Sequence, residues 1–211
     1  CRERHSERKP SSLTPRPIAT HRSRRDLVAS AEHSYLQLCA LTRWARHVEI
    51  KPSVQLLLRD VSASLRAKLK IRSIVLFGSL GRGEERKRSD IDVIVVSDEF
   101  PESYSARLDL LRPIFQEVKC RESYLQLLKR GYRFSFSPVP YRTEDLDDTP
   151  PLLLDVTQDG VILHDDGVMR RKLGELKESL RALGSKRVRT RRGRWYWILK
   201  PDLKPGEVIK I

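Results

Sequence analysis

The chain has 211 residues, with 42 Lys and Arg against 28 Asp and Glu for a formal net charge of +14. That length suits one main domain with extensions, and 39% hydrophobic residues are enough for a core. No apolar run approaches the length needed to cross a bilayer, no signal-peptide core follows the N-terminal charges, and Cys1, Cys39 and Cys120 are too scattered for a disulfide framework or a zinc site; a cytoplasmic location away from membranes is the expectation.

Residues 1–22 hold Arg, Ser, Pro and Thr with almost no apolar residue, which is the composition of a disordered basic tail. Across 23–50, Leu27, Ala31, Tyr35, Leu38 and Ala45 recur at helical spacing and predict a helical N-terminal extension. Lys51-Pro52 breaks that pattern, and Ser53 is a candidate cap for a second helix. Val54, Leu57, Leu58, Val61, Leu65 and Leu69 form its apolar face. Ser73-Ile74-Val75-Leu76-Phe77 is then long enough for a buried strand and too short for a helix.

Gly78-Ser79-Leu80-Gly81-Arg82-Gly83 follows at once. Glycine permits positive φ and lets a ligand approach the backbone. Turn amides, the Ser79 hydroxyl and the Arg82 guanidinium are together suited to a polyphosphate. Asp90-Ile91-Asp92 then enters a second apolar strand, Val93-Ile94-Val95-Val96. Alternation puts both carboxylates on one face with Ile91 packed beneath. Two like charges that close repel unless a proton or a cation lies between them. Mg2+ suits such oxygen donors and completes its octahedron with waters and substrate phosphates. The competing interpretation is a solvated turn in which Asp90 acts only as a cap.

The combination of Gly78-Ser79, a ten-residue gap and Asp90-Ile91-Asp92 resembles the signature of minimal nucleotidyltransferases in the DNA polymerase beta superfamily. The resemblance implies an α/β fold, a small mixed sheet flanked by helices, and covers roughly residues 53–140; the residue patterns extend that domain to 53–165 and make residues 166–211 a C-terminal helix and basic hairpin extension. It implies Asp90 and Asp92 as catalytic Mg2+ (or Mn2+) ligands. Gly78, Ser79, Arg82, Gly83 and Ser89 are the implied nucleotide contacts. The expected donor is a nucleoside triphosphate, ATP first, and the expected acceptor is RNA (such as a tRNA end) or protein. The ending at residues 200–207 resembles those of archaeal stand-alone members.

Residues 102–118 predict a helix interrupted near Pro113, and residues 121–129 another. The resemblance also implies a third acid on the next strand, whose match is Tyr132-Arg133-Phe134-Ser135-Phe136-Ser137. Serines stand at the alternating positions. Neither Ser135 nor Ser137 is a good general base without activation. Glu144 and Asp145 lie just beyond and are candidates to fold back. This departure favours a second interpretation, in which the fold is a weakly catalytic module binding RNA or a toxin- or antitoxin-like partner.

Pro150-Pro151 predicts the start of a short helix through Leu152, Leu153, Leu154 and Val156. Val161-Ile162-Leu163 predicts a strand that turns at Asp165-Asp166-Gly167. Leu173, Leu176, Leu180 and Leu183 line a last helix, stopped by Gly184. Residues 1–70 carry a net +9, residues 71–170 a net −4 and residues 171–211 a net +9. Basic flanks of this kind suit electrostatic capture of RNA; a solvated charge excess is the alternative. Arg187, Arg189, Arg191, Arg192 and Arg194 are the candidate RNA contacts, leading into Trp195-Tyr196-Trp197. Aromatics beside arginines can stack bases, or the segment is a hairpin turning at Arg192-Gly193 with both tryptophans packed on the domain.

Overall fold

The computed structural model describes residues 50–84, 86–209 and 211. The expected basic tail, the helix through Leu27–Ala45, and Cys1 and Cys39 lie outside the described residues. Pro52 opens helix α1 (Pro52–Lys68), where a missing N–H costs nothing. Lys51 rather than Ser53 holds the cap position, its carbonyl accepting from the Val54 and Gln55 amides. Val54, Leu57, Leu58, Val61 and Leu65 are buried, as their spacing predicts.

Strand β1 (Ser73–Phe77) leads through the single turn α2 (Gly78–Gly81) into strand β2 (Asp90–Val96). The two strands are antiparallel, with Phe77 opposite Asp92. Helix α3 (Tyr104–Lys119) runs unbroken through Pro113. The interruption expected there does not occur, because Leu111, Ile114, Phe115 and Val118 are buried on both sides of the proline, and their packing offsets the lost backbone bond. Helix α4 (Glu122–Lys129) completes the crossover to strand β3 (Ser135–Tyr141), which runs parallel to β2.

Strand β3 begins three residues later than the sequence suggests and continues to Tyr141 through Pro138 and Pro140. Prolines are compatible with it because β3 is an edge strand in the order β3-β2-β1-β4. A 3-10 turn (Glu144–Leu146) and helix α5 (Leu152–Asp159) follow. Strand β4 (Val161–Asp165) then pairs antiparallel with β1. Helix α6 (Val168–Ala182) and the antiparallel hairpin β5 (Lys186–Arg189) and β6 (Trp195–Ile198) end the fold. Gly184, at φ +66, stops α6 where the sequence predicts.

The mixed sheet separates two apolar layers. Ile74, Leu76, Ile91, Val93 and Val95 face α1, α3 and α4, while Val75, Ile94 and Val96 face α5 and α6. By alternation Asp90 and Asp92 share the second face, at the end of β2 where Ile94 and Val96 give way to the surface. No helix among the described residues is long and apolar enough to cross a membrane.

A partly buried ion pair ties the start of α3 to the turn that follows β3. Arg107, 5% exposed, donates to the Pro101 carbonyl at 2.6 Å, to the Glu102 carbonyl at 3.0 Å and to the Asp145 carboxylate. Burial alone pushes the Asp145 carboxyl up, but the Arg107 guanidinium and the Arg142 amide hold it below the ordinary carboxylate range. Its contribution to stability is therefore complete above its unfolded pKa of about 4 and is lost as pH falls through the lower folded value. Arg107→Ala is expected to cost about 3 kcal/mol in urea unfolding at pH 7. The same measurement on Arg112→Ala, which breaks an exposed pair with Asp109, should show no change in midpoint.

Candidate functional site

The site starts from a close approach. Gly78 adopts φ +71, and a Cβ built on it would lie 2.2 Å from Asp92 Oδ2. The turn after β1 thus presses its bare backbone against the second aspartate of β2. Only glycine combines that φ with that distance. The first amides of the α2 turn have no intrahelical acceptor, and the turn closes through the Arg82 amide to the Gly78 carbonyl at 3.2 Å. Gly83, at φ +73, reverses the chain after it. Ser79 is half-buried in the same turn.

Asp90 is exposed and Asp92 half-buried. Burial first, and the neighbouring Asp90 charge, push the Asp92 carboxyl above its ordinary range, against hydrogen bonding from Ser137 and the charge of Arg82. The parallel register sets Ser135 opposite Asp90 and Ser137 opposite Asp92. The Ser135 hydroxyl donates to Asp90 Oδ1, and Ser137, opposite Asp92, counters the rise of its carboxyl. The two serines thus stand beside the two acids.

Glu144 and Asp145, the candidates to fold back, do not reach the two aspartates. Both follow the far end of β3, where Tyr141 pairs with Val96, and Ser135 and Ser137 lie at the other end. Asp145 is held by Arg107 and Glu144 by Arg142 at 2.8 Å. Among the described residues no cluster of three or more His, Cys, Asp or Glu can hold a metal ion. The two carboxylates alone, acceptor-only oxygens on one strand face, fit a divalent ion that keeps waters and takes substrate phosphates.

Arg82 caps the α2 turn. Its Nε donates to Glu84 at 3.0 Å, and its NH1 lies 3.7 Å from Asp159 Oδ2 at the end of α5. Ser89 is buried, and its Oγ accepts the Arg86 amide at 2.9 Å. This bond closes the loop that delivers Asp90.

The basic extension is the hairpin form, with Gly193 at φ +80 in its turn. Trp197 packs against the α5–α6 layer and its Nε1 donates to Asp155 at 3.0 Å. Trp195 is 43% exposed, with the guanidinia of Arg187 and Arg189 at 4.7 and 5.5 Å from its ring centre. Arg187 does not join an exposed basic footprint. Its side chain is 13% exposed and lies 2.7 Å from Asp159 and 3.3 Å from Asp155. Arg189, Arg191, Arg192 and Arg194 are exposed. Asp155 and Asp159 went unnoticed in the sequence, although their i, i+4 spacing puts them on one helix face.

Comparison with known proteins agrees with this geometry. The nucleotidyltransferase domain family matches residues 58–147, which span β1, the glycine turn, β2 and β3. Two proteins of Methanocaldococcus jannaschii, each provisionally described as a protein adenylyltransferase, are also similar. One is 46% identical over 57 residues, 26% of this chain and 56% of that protein. The other is 41% identical over 46 residues, 22% of this chain and 54% of that protein. The chain thus matches only about half the length of these relatives. A crystal structure described as a toxin-antitoxin with AMP-PNP aligns over 60% of this chain and 92% of that one, at 17% identity and a TM-score of 0.37. That likeness is too distant to support any functional point.

The raised Asp92 carboxyl has a consequence for the ligand-free protein. A carboxylate whose folded pKa exceeds its unfolded one destabilises the fold above the folded value, and the cost vanishes as pH falls through the unfolded value near 4. Asp92→Asn is therefore expected to raise the metal-free unfolding midpoint at pH 7 and to lose that advantage below about pH 4, read by thermal denaturation across pH. The sheet order, the glycine turn against Asp92 and the family match point the same way: residues 58–147 are similar to the nucleotidyltransferase domain family.

Proposed function

We propose that the protein transfers a nucleoside monophosphate, AMP first, from a nucleoside triphosphate to a hydroxyl of a macromolecular acceptor. The observation that carries this is the Gly78–Asp92 contact, which brings the turn amides and two carboxylates of one strand face to a single point. The acceptor oxygen gives up its proton to water and bonds to the α-phosphorus, the bond to the bridging oxygen breaks, and pyrophosphate leaves. Asp90 and Asp92 would hold Mg2+ or Mn2+, which supplies neutralisation of the triphosphate charge. Gly78, Ser79 and Gly83 belong to the turn that receives the phosphates, and Arg82 adds a guanidinium clamp. Ser89 acts indirectly, by fixing the loop into Asp90.

Two acceptor classes have support. The provisional descriptions of the two archaeal relatives favour a protein hydroxyl. The exposed Arg189, Arg191, Arg192 and Arg194, with Trp195 beside them, favour RNA. The second reading, a weakly catalytic binding module, is favoured by one observation. Ser135 and Ser137 occupy the positions beside Asp90 and Asp92 where the family resemblance implies a third acid.

The test is transfer of α-32P label from each nucleoside triphosphate into RNA and protein of a cell extract, with Mg2+ or Mn2+. Label is expected with the wild type, at least about 100-fold less with Asp90→Ala/Asp92→Ala, and the labelled fraction identifies the acceptor. Equal labelling by the double variant would overturn the proposal. Label seen only after Ser135→Asp or Ser137→Asp would instead support the binding module, with the third acid as its lost function.

A further inference from the structure

Four charges of alternating sign connect the C-terminal hairpin to the metal-site end of β2. Arg187 on β5 lies 2.7 Å from Asp159 Oδ2. The same oxygen lies 3.7 Å from Arg82 NH1 on the glycine turn, and the Arg82 charge reaches Asp92. The contact is tight in the backbone as well, since a Cβ on Gly81 would meet the Asp159 carbonyl at 2.5 Å. The end of α5 is therefore wedged between the nucleotide turn and the hairpin.

The distances rank the two cations. Asp159 is largely buried, its side chain 15% exposed, and a buried carboxylate needs a counter-ion. Arg187, half-buried beside it and a full ångström nearer than Arg82, supplies the nearer counter-charge, although Asp159 Oδ2 accepts no hydrogen bond from it. The same nitrogen, Nη2, also lies 3.3 Å from Asp155 Oδ1, and Asp155 is itself tied to Trp197 Nε1. Arg187 is thus fixed by the hairpin, while Arg82 has only a long contact to Asp159 and an exposed partner in Glu84.

We infer that Arg187 is a positioning residue that neutralises the Asp159 charge and so leaves Arg82 available to the triphosphate. The inference rests on the reading of Arg82 as a phosphate clamp. Without Arg187, Asp159 would be a buried carboxylate whose nearest cation is Arg82, and it would draw that guanidinium away from the nucleotide. The basic extension would then serve the catalytic turn through a half-buried arginine, separately from any contact its exposed arginines make.

The experiment is calorimetric titration of the full chain with Mg2+ and an ATP analogue whose α–β bridge is methylene, so that nothing is transferred. Arg187→Ala is expected to raise the nucleotide Kd roughly five- to tenfold. Asp159→Asn is expected to bind at least as tightly as wild type and, combined with Arg187→Ala, to restore wild-type affinity. A merely structural role for Arg187 would not be rescued by removing a second charge. In the Arg82→Ala background, Arg187→Ala should have no further effect. If Arg187→Ala does not fold, Asp159→Asn alone decides, because weaker nucleotide binding by it overturns the inference. Wild-type affinity in Arg187→Ala, or in Arg82→Ala, overturns the inference and leaves the transferase reading standing. Absence of nucleotide binding by the wild type overturns both.

Discussion

The contact between Gly78 and Asp92 governs the rest of the site. Because no side chain separates them, the turn after β1 can close over the start of β2, and the Asp92 carboxylate is driven into a half-buried position beside Asp90. Two acids in that setting are uncomfortable without a counter-charge, and burial already raises the Asp92 carboxyl. The surrounding groups answer this electrostatic demand. Ser135 donates its hydroxyl to Asp90 from β3, Ser137 stands opposite Asp92, and Arg82 supplies a positive charge from the turn. A ligand that brings a divalent cation would relieve the same demand far more completely.

The sheet makes this contact possible. Antiparallel pairing puts Phe77, the last residue of β1, opposite Asp92, so the glycine turn must start beside the acid. The parallel edge strand β3 then brings its first residues to the same end. Apolar layers on both faces hold β1 and β2 rigid, with Ile74, Val75, Ile91 and Ile94 all fully buried. The turn is thus anchored on a core that has little freedom to relax.

Much of this was legible in the sequence because its cause is local. The run Ser73–Phe77, the glycine cluster and the alternation around Asp90 and Asp92 each reveal their geometry within a few residues. So do the apolar face of α1 and the stop at Gly184. What stayed hidden depends on partners far along the chain. Pro138 and Pro140 argue against a strand unless β3 is known to be an edge. Pro113 looks like a break until Leu111, Ile114 and Phe115 are seen to be buried around it. Asp145 reads as a spare acid until Arg107, 38 residues earlier, claims it. Arg187 reads as one of five surface arginines until Asp155 and Asp159 take it inward.

The central claim is that Asp90 and Asp92, backed by Gly78, form a cation-dependent nucleotide site. The most direct measurement is electron paramagnetic resonance of Mn2+ titrated into the full chain, with and without the α–β methylene ATP analogue, in wild type and Asp90→Asn/Asp92→Asn proteins. The account predicts tight Mn2+ binding by the wild type in the presence of nucleotide, lost in the double variant. Equal Mn2+ binding by the two proteins would contradict it.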